Sequence, residues 1–61
     1  MKYYINSIRN EEDRRIGASR RYGPYESINQ CNADAEKLHA KGYLYVEVID
    51  EKGSSYIEYE N

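Results

Sequence analysis

Hydrophobic positions along this 61-residue chain change period once, and the change falls at Gly42. Before it, Ile28, Cys31, Ala35 and Leu38 lie within about 80° of one another at 100° per residue, the single apolar stripe of an amphipathic helix. Ser27, followed three residues on by Gln30, predicts its amino-terminal cap, and Gly42 stands where a left-handed carboxy-terminal cap belongs. Lys37 and Lys41 fall in the last turns, where cations suit the negative end of the helix dipole. A striped helix of this kind must pack on something.

After Gly42 the period becomes two. Leu44, Val46 and Val48 alternate with Tyr43, Tyr45, Glu47 and Ile49, and Glu51-Lys52-Gly53-Ser54 turns the chain into Tyr56-Ile57-Glu58-Tyr59-Glu60. This predicts a β-hairpin. A four-residue loop built on a type I turn pairs Asp50 with Ser55. Val48 then faces Ile57 and Val46 faces Tyr59 on one side, while Ile49 faces Tyr56, Glu47 faces Glu58 and Tyr45 faces Glu60 on the other. A three-residue loop would set Glu58 beside Val46 on the buried side. Because a one-residue slip turns every side chain over, the hydrophobic pattern selects the four-residue loop.

The amino-terminal half is read as a second hairpin, Lys2 to Arg9 and about Arg15 to Tyr22, around a polar Asn10 to Asp13 loop. Gly23-Pro24 marks a turn, and Tyr25 packs where the chain enters the helix. Tyr3/Ile5 and Tyr4/Ile8 make competing claims on the inward face, which period two alone does not separate. The expected fold class is α+β: β-β-α-β-β, a mostly antiparallel sheet of up to four strands with one helix packed on one face, in one domain spanning residues 1–61. Its inner layer is Ile28, Leu38, Leu44, Val46, Val48, Ile57 and Tyr59.

Composition limits how much core this layer can build. Apolar residues make up 39% of the chain, but eight of them are Tyr, and the strong aliphatics are six Ile, two Leu and two Val. A share of such residues below roughly 20% accompanies disorder only when net charge is high, and here the net charge is -2. The core is therefore thin rather than absent, and a homodimer is one way to complete it. Phe and Trp are missing, so every large ring carries a hydroxyl. The lone Cys31 excludes an intrachain disulfide and points to a reducing, cytoplasmic compartment. The first ten residues hold too short an apolar stretch for a signal peptide, and no run approaches a membrane span, so a soluble, unprocessed protein with no membrane partner is expected.

Enzymatic constellations fail on inventory. The single His39 and single Cys31 sit eight residues apart on one helix, about 12 Å along its axis, too far for a nucleophile–base pair. One Cys and one His do not assemble a zinc site, and no glycine pattern resembles a phosphate loop. Cys31 reads as a small buried hydrophobe and His39 as a residue at the edge of the apolar stripe. No catalytic residue, metal or cofactor is expected.

Charge is divided along the chain. Residues 1–30 hold six Lys/Arg against four Asp/Glu, and residues 31–61 hold three against seven. Glu47 opposite Glu58, with Glu60 one pair further on, sets like charges across a ladder, a destabilising arrangement worth roughly 0.2–1 kcal/mol. Tyr43, Tyr45, Tyr56 and Ile49 are predicted on the same outward face. Tyrosines supply large contact areas with few rotors, and the acids suit a partner's basic groove where nucleic-acid phosphates normally sit. The same face is equally readable as a solvated surface whose acids blunt edge-to-edge association. The candidate partner-binding residues are Tyr43, Tyr45, Glu47, Tyr56, Glu58 and Glu60. A competing reading uses Arg14, Arg15, Arg20 and Arg21 as a basic ribbon for nucleic acid, with Tyr3, Tyr4, Tyr22 and Tyr25 nearby. Against it stand a pI near 5.3 and the acids Glu11, Glu12 and Asp13 beside the first arginine pair, which make direct nucleic-acid binding the less favoured mode.

Small size, acidity, a Met-Lys start, a Gly-Pro-Tyr-x-Ser approach to one helix and a closing acidic hairpin together resemble small bacteriophage-encoded accessory proteins. That group includes host-takeover factors, anti-CRISPR proteins and DNA-mimic inhibitors. The resemblance is one of architecture and carries over no individual residue. It implies a stoichiometric inhibitor in the host cytoplasm that binds a host protein and blocks its active or nucleic-acid-binding surface.

Overall fold

The structure, a computed structural model, describes residues 1–61. In chain order it runs β1 (Tyr3–Ile8), α1 (Glu11–Ile16), β2 (Arg20–Tyr25), α2 (Ile28–Ala40), β3 (Tyr45–Asp50) and β4 (Ser55–Glu60). The four strands form one antiparallel sheet in the order β2-β1-β3-β4, and α2 lies across one face of it. This is the expected α+β class, with a short extra helix between the first two strands. No helix is long and apolar enough to cross a membrane.

Helix α2 begins and ends where its caps require. The Ser27 hydroxyl accepts from the Gln30 N–H at 3.2 Å. At the other end Gly42 takes φ +95°, and the Gly42 and Tyr43 N–H groups donate to the His39 and Leu38 carbonyls, which closes the helix in a Schellman motif. Cys31 and Ala35 are fully buried, and Ile28 and Leu38 pack beside them. Beneath them the sheet contributes Ile5, Val46 and Val48, all without solvent exposure, flanked by Tyr3, Tyr22, Tyr25, Tyr43, Ile57 and Tyr59. The competition in β1 is thus decided for Tyr3 and Ile5, and Tyr4 and Ile8 face away from α2.

Two tyrosines clamp the helix from the sheet edges. The Tyr25 hydroxyl on β2 donates to Asp34 Oδ2 at 2.8 Å, and the Tyr59 hydroxyl on β4 donates to Asn32 Oδ1 at 2.7 Å. Phenylalanine would fill the same space but leave the polar flanks of α2 unlinked. Burial first, and then the Asp34 contact, pushes the Tyr25 phenol up to about 12.

The amino-terminal half keeps the expected antiparallel pairing of its two strands but replaces the polar loop between them with a helix. Residues 11–16 are helical, because the Asn10 side chain accepts from the Asp13 N–H at 2.9 Å and Gly17, at φ +74°, receives the chain in the left-handed region. Glu11, Glu12 and Asp13 occupy the first turn and Arg14 and Arg15 the last, complementing the helix dipole at both ends. No residue of α1 is buried, and Ile16 is 64% exposed, so no apolar periodicity betrays it. Strand β2 consequently starts at Arg20, later than expected, and runs through Gly23-Pro24, which is not a turn. Proline is tolerated there because β2 is an edge strand and needs no N–H on its outer side. A register shift opposite Tyr3–Ile5 absorbs the extra residue, so Tyr22 and Tyr25, three apart, both reach the core.

The carboxy-terminal hairpin combines the two loops that the pattern sets in competition. The Asp50 N–H donates to the Ser54 carbonyl, the Gly53 N–H donates to the Asp50 carbonyl, and Gly53 takes φ +89°: a three-residue loop with a left-handed third position. Ile49 accordingly pairs with Ser55, not Tyr56. One extra residue, Tyr56, then forms a β-bulge, and beyond it Val48↔Ile57, Val46↔Tyr59, Glu47↔Glu58 and Tyr45↔Glu60 stand in the register that the hydrophobic pattern selects. The bulge lets the turn chemistry of Gly53 and the burial of Ile57 and Tyr59 both be satisfied. Leu44 precedes β3 and is only half-buried; the side chain that packs on the core from this end is Tyr43.

Candidate functional site

Because α2 covers one face of the sheet, the other face is open across all four strands. Its central row is set by register: Arg21 on β2 pairs with Asn6 on β1, Asn6 with Glu47 on β3, and Glu47 with Glu58 on β4. Rows of Tyr4–Ile49–Ser55 and Ile8–Tyr45–Glu60 flank it. The face is therefore basic at the β2 edge, apolar and aromatic in the middle, and acidic along β4.

A continuous hydrogen-bonded network holds the central row. Arg21 Nε donates to Asn6 Oδ1 at 3.1 Å, and Asn6 Nδ2 donates to Glu47 Oε1 at 3.4 Å. Glu47 Oε2 accepts from the Tyr45 hydroxyl and from Ser55 Oγ, both at 3.1 Å. Ser55 Oγ also lies 3.4 Å from Glu58 Oε2, so a hydroxyl stands between the two opposed carboxylates and softens the repulsion that the sequence implies. Burial, and then the hydrogen bond to Glu47, raises the Tyr45 phenol well above its ordinary range. The Arg21 guanidinium sits over the Tyr4 ring at 5.4 Å from its centroid, a cation–π contact. Glu58 and Glu60 are exposed and carry no ion-pair partner.

Of the six predicted contact residues, the structure brings together Tyr45, Glu47, Glu58 and Glu60. It separates Tyr43 and Tyr56 from them. Tyr43 turns to the helix side, where its hydroxyl lies 3.3 Å from that of Tyr22. Tyr56 is turned over by the bulge: its hydroxyl donates to Asp50 Oδ2 at 2.8 Å, and its ring meets Tyr3 edge-on at 5.9 Å. Sequence reasoning missed Asn6, and assigned Arg21 and Tyr4 to the basic-ribbon reading and not to this face, because the facing of β1 and β2 was open. The Asn6/Arg21 pairing follows only once the length of α1 is known.

The four arginines form no single ribbon. Arg14 and Arg15 lie on α1 and pair with Glu11, at 3.8 Å, and with Glu12. Arg20 and Arg21 are consecutive strand residues and point to opposite faces. Arg20 lines a shallow hollow with Arg9, Asp13 and Tyr43, in which Arg9 already pairs with Asp13 at 3.5 Å.

Cys31 is enclosed under α2, where burial and then the Asp34 charge push its thiol up to about 11. His39 stacks on Tyr59 with ring centroids 5.2 Å apart. No group of three or more His, Cys, Asp or Glu is arranged to hold a metal ion. Comparison with protein-family models, curated proteins and solved structures returns no match.

Proposed function

We propose that this protein is a non-enzymatic binding module that engages a basic surface of a partner protein through its open sheet face, acting as a stoichiometric modulator. The observation that carries the reading is the ordered row Arg21–Asn6–Glu47–Glu58, which leaves Glu58 and Glu60 exposed and uncompensated along one side of an uncovered sheet. Three donors hold the Glu47 carboxylate in place, so it frames the site, while Glu58 and Glu60 are free to meet an incoming cation. Tyr4 and Tyr45, both half-buried, supply contact area beside them, and Ile49 lies buried beneath. Charges at such positions steer association and set specificity more than they add affinity. For a bacteriophage accessory protein the partner is a host protein in the cytoplasm. The separation of the arginines disfavours the nucleic-acid alternative.

Capture of partner proteins from bacterial lysate by the wild type, by Glu58→Lys/Glu60→Lys and by Arg14→Glu/Arg15→Glu tests the proposal. The glutamate variant should lose its partner at markedly lower salt, and the arginine variant should keep it. Equal retention by the glutamate variant, with an unchanged circular dichroism spectrum, overturns the reading.

A further inference from the structure

The two edges of the sheet are not equivalent. Strand β2 is blunted: Pro24 offers no N–H, Gly23 takes φ +128°, and the register shift opposite Tyr3–Ile5 breaks the ladder. Strand β4 is a full six residues with no proline, lysine or covering element on its outer side. The phase of its ladder follows from one bond, the Asn61 N–H donating to the Leu44 carbonyl at 3.0 Å. Hydrogen-bonded and non-hydrogen-bonded pairs alternate in an antiparallel ladder, so Val46/Tyr59 and Val48/Ile57 exchange bonds within the sheet. The backbone N–H and C=O groups of Glu58 and Glu60 therefore point away from β3, toward empty space. The residues whose backbone is unpaired are the same residues whose side chains carry the uncompensated charge on the open face.

We infer that β4 is the docking edge for an extended segment of the partner protein, added antiparallel as a fifth strand with basic residues alternating with apolar ones. This rests on the open-face reading and specifies its occupant. A residue directly opposite Glu58 or Glu60 lies on the open face, where Lys or Arg meets the carboxylate as an opposite-charge cross-strand pair. The intervening residues point to the helix side and extend the apolar layer of Ile57 and Tyr59, both only half-buried. The same geometry disfavours a second copy of this chain. A two-fold β4–β4 pairing through these outward groups sets Glu58 opposite Glu58, or Glu58 opposite Glu60, and like charges directly opposite are destabilising. Strand addition of this kind draws affinity from main-chain bonds and specificity from alternate side chains.

The probe is a blocked octapeptide of alternating lysine and valine, with the same peptide N-methylated at its lysines as control. The unmodified peptide should bind one to one and slow hydrogen exchange at the Glu58 and Glu60 amides, and N-methylation should abolish both effects. Glu58→Lys/Glu60→Lys should weaken binding roughly tenfold or more, and should instead accept a glutamate–valine octapeptide. Glu58→Gln/Glu60→Gln, which removes charge without reversing it, should lie between. Peptide binding that charge reversal weakens, but that leaves the two amides unprotected and tolerates N-methylation, overturns strand addition and leaves the open-face reading standing. Amide protection that is indifferent to charge reversal overturns the open-face reading and the basic occupant. No binding of either octapeptide by the folded wild type overturns the inference outright.

Discussion

At Asp50 a single carboxylate organises the last turn and, through it, the facing of Tyr56. Its Oδ1 accepts from the Lys52 and Ser54 N–H groups at 2.8 and 3.1 Å, and its Oδ2 from the Tyr56 hydroxyl. Burial pushes this carboxyl up, but the hydrogen bonds from Tyr56 and from the Ser54, Lys52 and Gly53 N–H groups outweigh it, so its pKa lies below the ordinary 3.8. A carboxyl depressed on folding contributes stability that is complete above its unfolded value and lost as pH falls through its folded value. The hairpin should therefore loosen only below about pH 3.8. Asp50→Ala should speed amide exchange at Lys52 and Ser54 already at neutral pH, lower the Tm and flatten the acid limb of the stability profile. Unchanged exchange would remove Asp50 from this role. Cys31 gives a second residue-scale expectation: enclosed, and with its pKa near 11, it should resist disulfide-exchange reagents at pH 8 in the native state and react at once in denaturant. Rapid labelling of the folded chain would contradict a closed core.

Among the elements, α2 and the β3–β4 ladder were legible in the sequence because each buries one face, and burial imposes a period. Helix α1 was not, since it buries nothing and is specified only by its caps, Asn10 and Gly17. The spacing Asn10-x-x-Asp13, acids first and arginines last, was the available signal. Strand β2 shows the same limit: Gly23-Pro24 reads as a turn in isolation, and only the edge position and the register shift make it a strand. Gly23 is held there by space as well as by φ, because a Cβ would lie 3.0 Å from both the Tyr3 carbonyl oxygen and Tyr4 Cδ1. Gly23→Ala should destabilise the protein by roughly 1–3 kcal/mol, which for a domain of this size lowers the Tm by about 4–8 °C per kcal/mol. A thermal melt within a degree of wild type would show that the β1–β2 ladder does not depend on this glycine.

Over the whole molecule, tyrosine takes the place that larger aliphatic residues hold in other cores. Tyr25 and Tyr59 tie the sheet edges to α2, Tyr56 ties the last turn to the sheet, and Tyr45 joins the open-face network. Burial raises the phenols of Tyr25, Tyr45 and Tyr59, and the Asp50 contact raises that of Tyr56. Unfolded tyrosines ionise near pH 10. A group raised on folding contributes stability that is complete below the unfolded value and lost as pH climbs through the folded one. Stability should therefore hold to about pH 10 and fall away toward about pH 12, the value for Tyr25. Spectrophotometric titration should find a late class of tyrosines that ionises together with the loss of secondary structure; uniform ionisation near pH 10 with the fold intact would refute the coupling.

The sequence by itself determined the α+β class, the limits of α2, the Glu47/Glu58 opposition and the pairing of Val46 and Val48, because each follows from a period or a cap acting over a few residues. Tertiary structure alone decided which tyrosines face outward. A bulge opposite Ile49 sends Tyr56 to the helix side, and the strand start at Tyr45 sends Tyr43 to the core. It also decided that Asn6 and Arg21 complete the row across the open face. Those outcomes turn on single-residue register shifts, where backbone geometry and the packing of a distant strand compete on nearly equal terms and no local pattern records which one prevails.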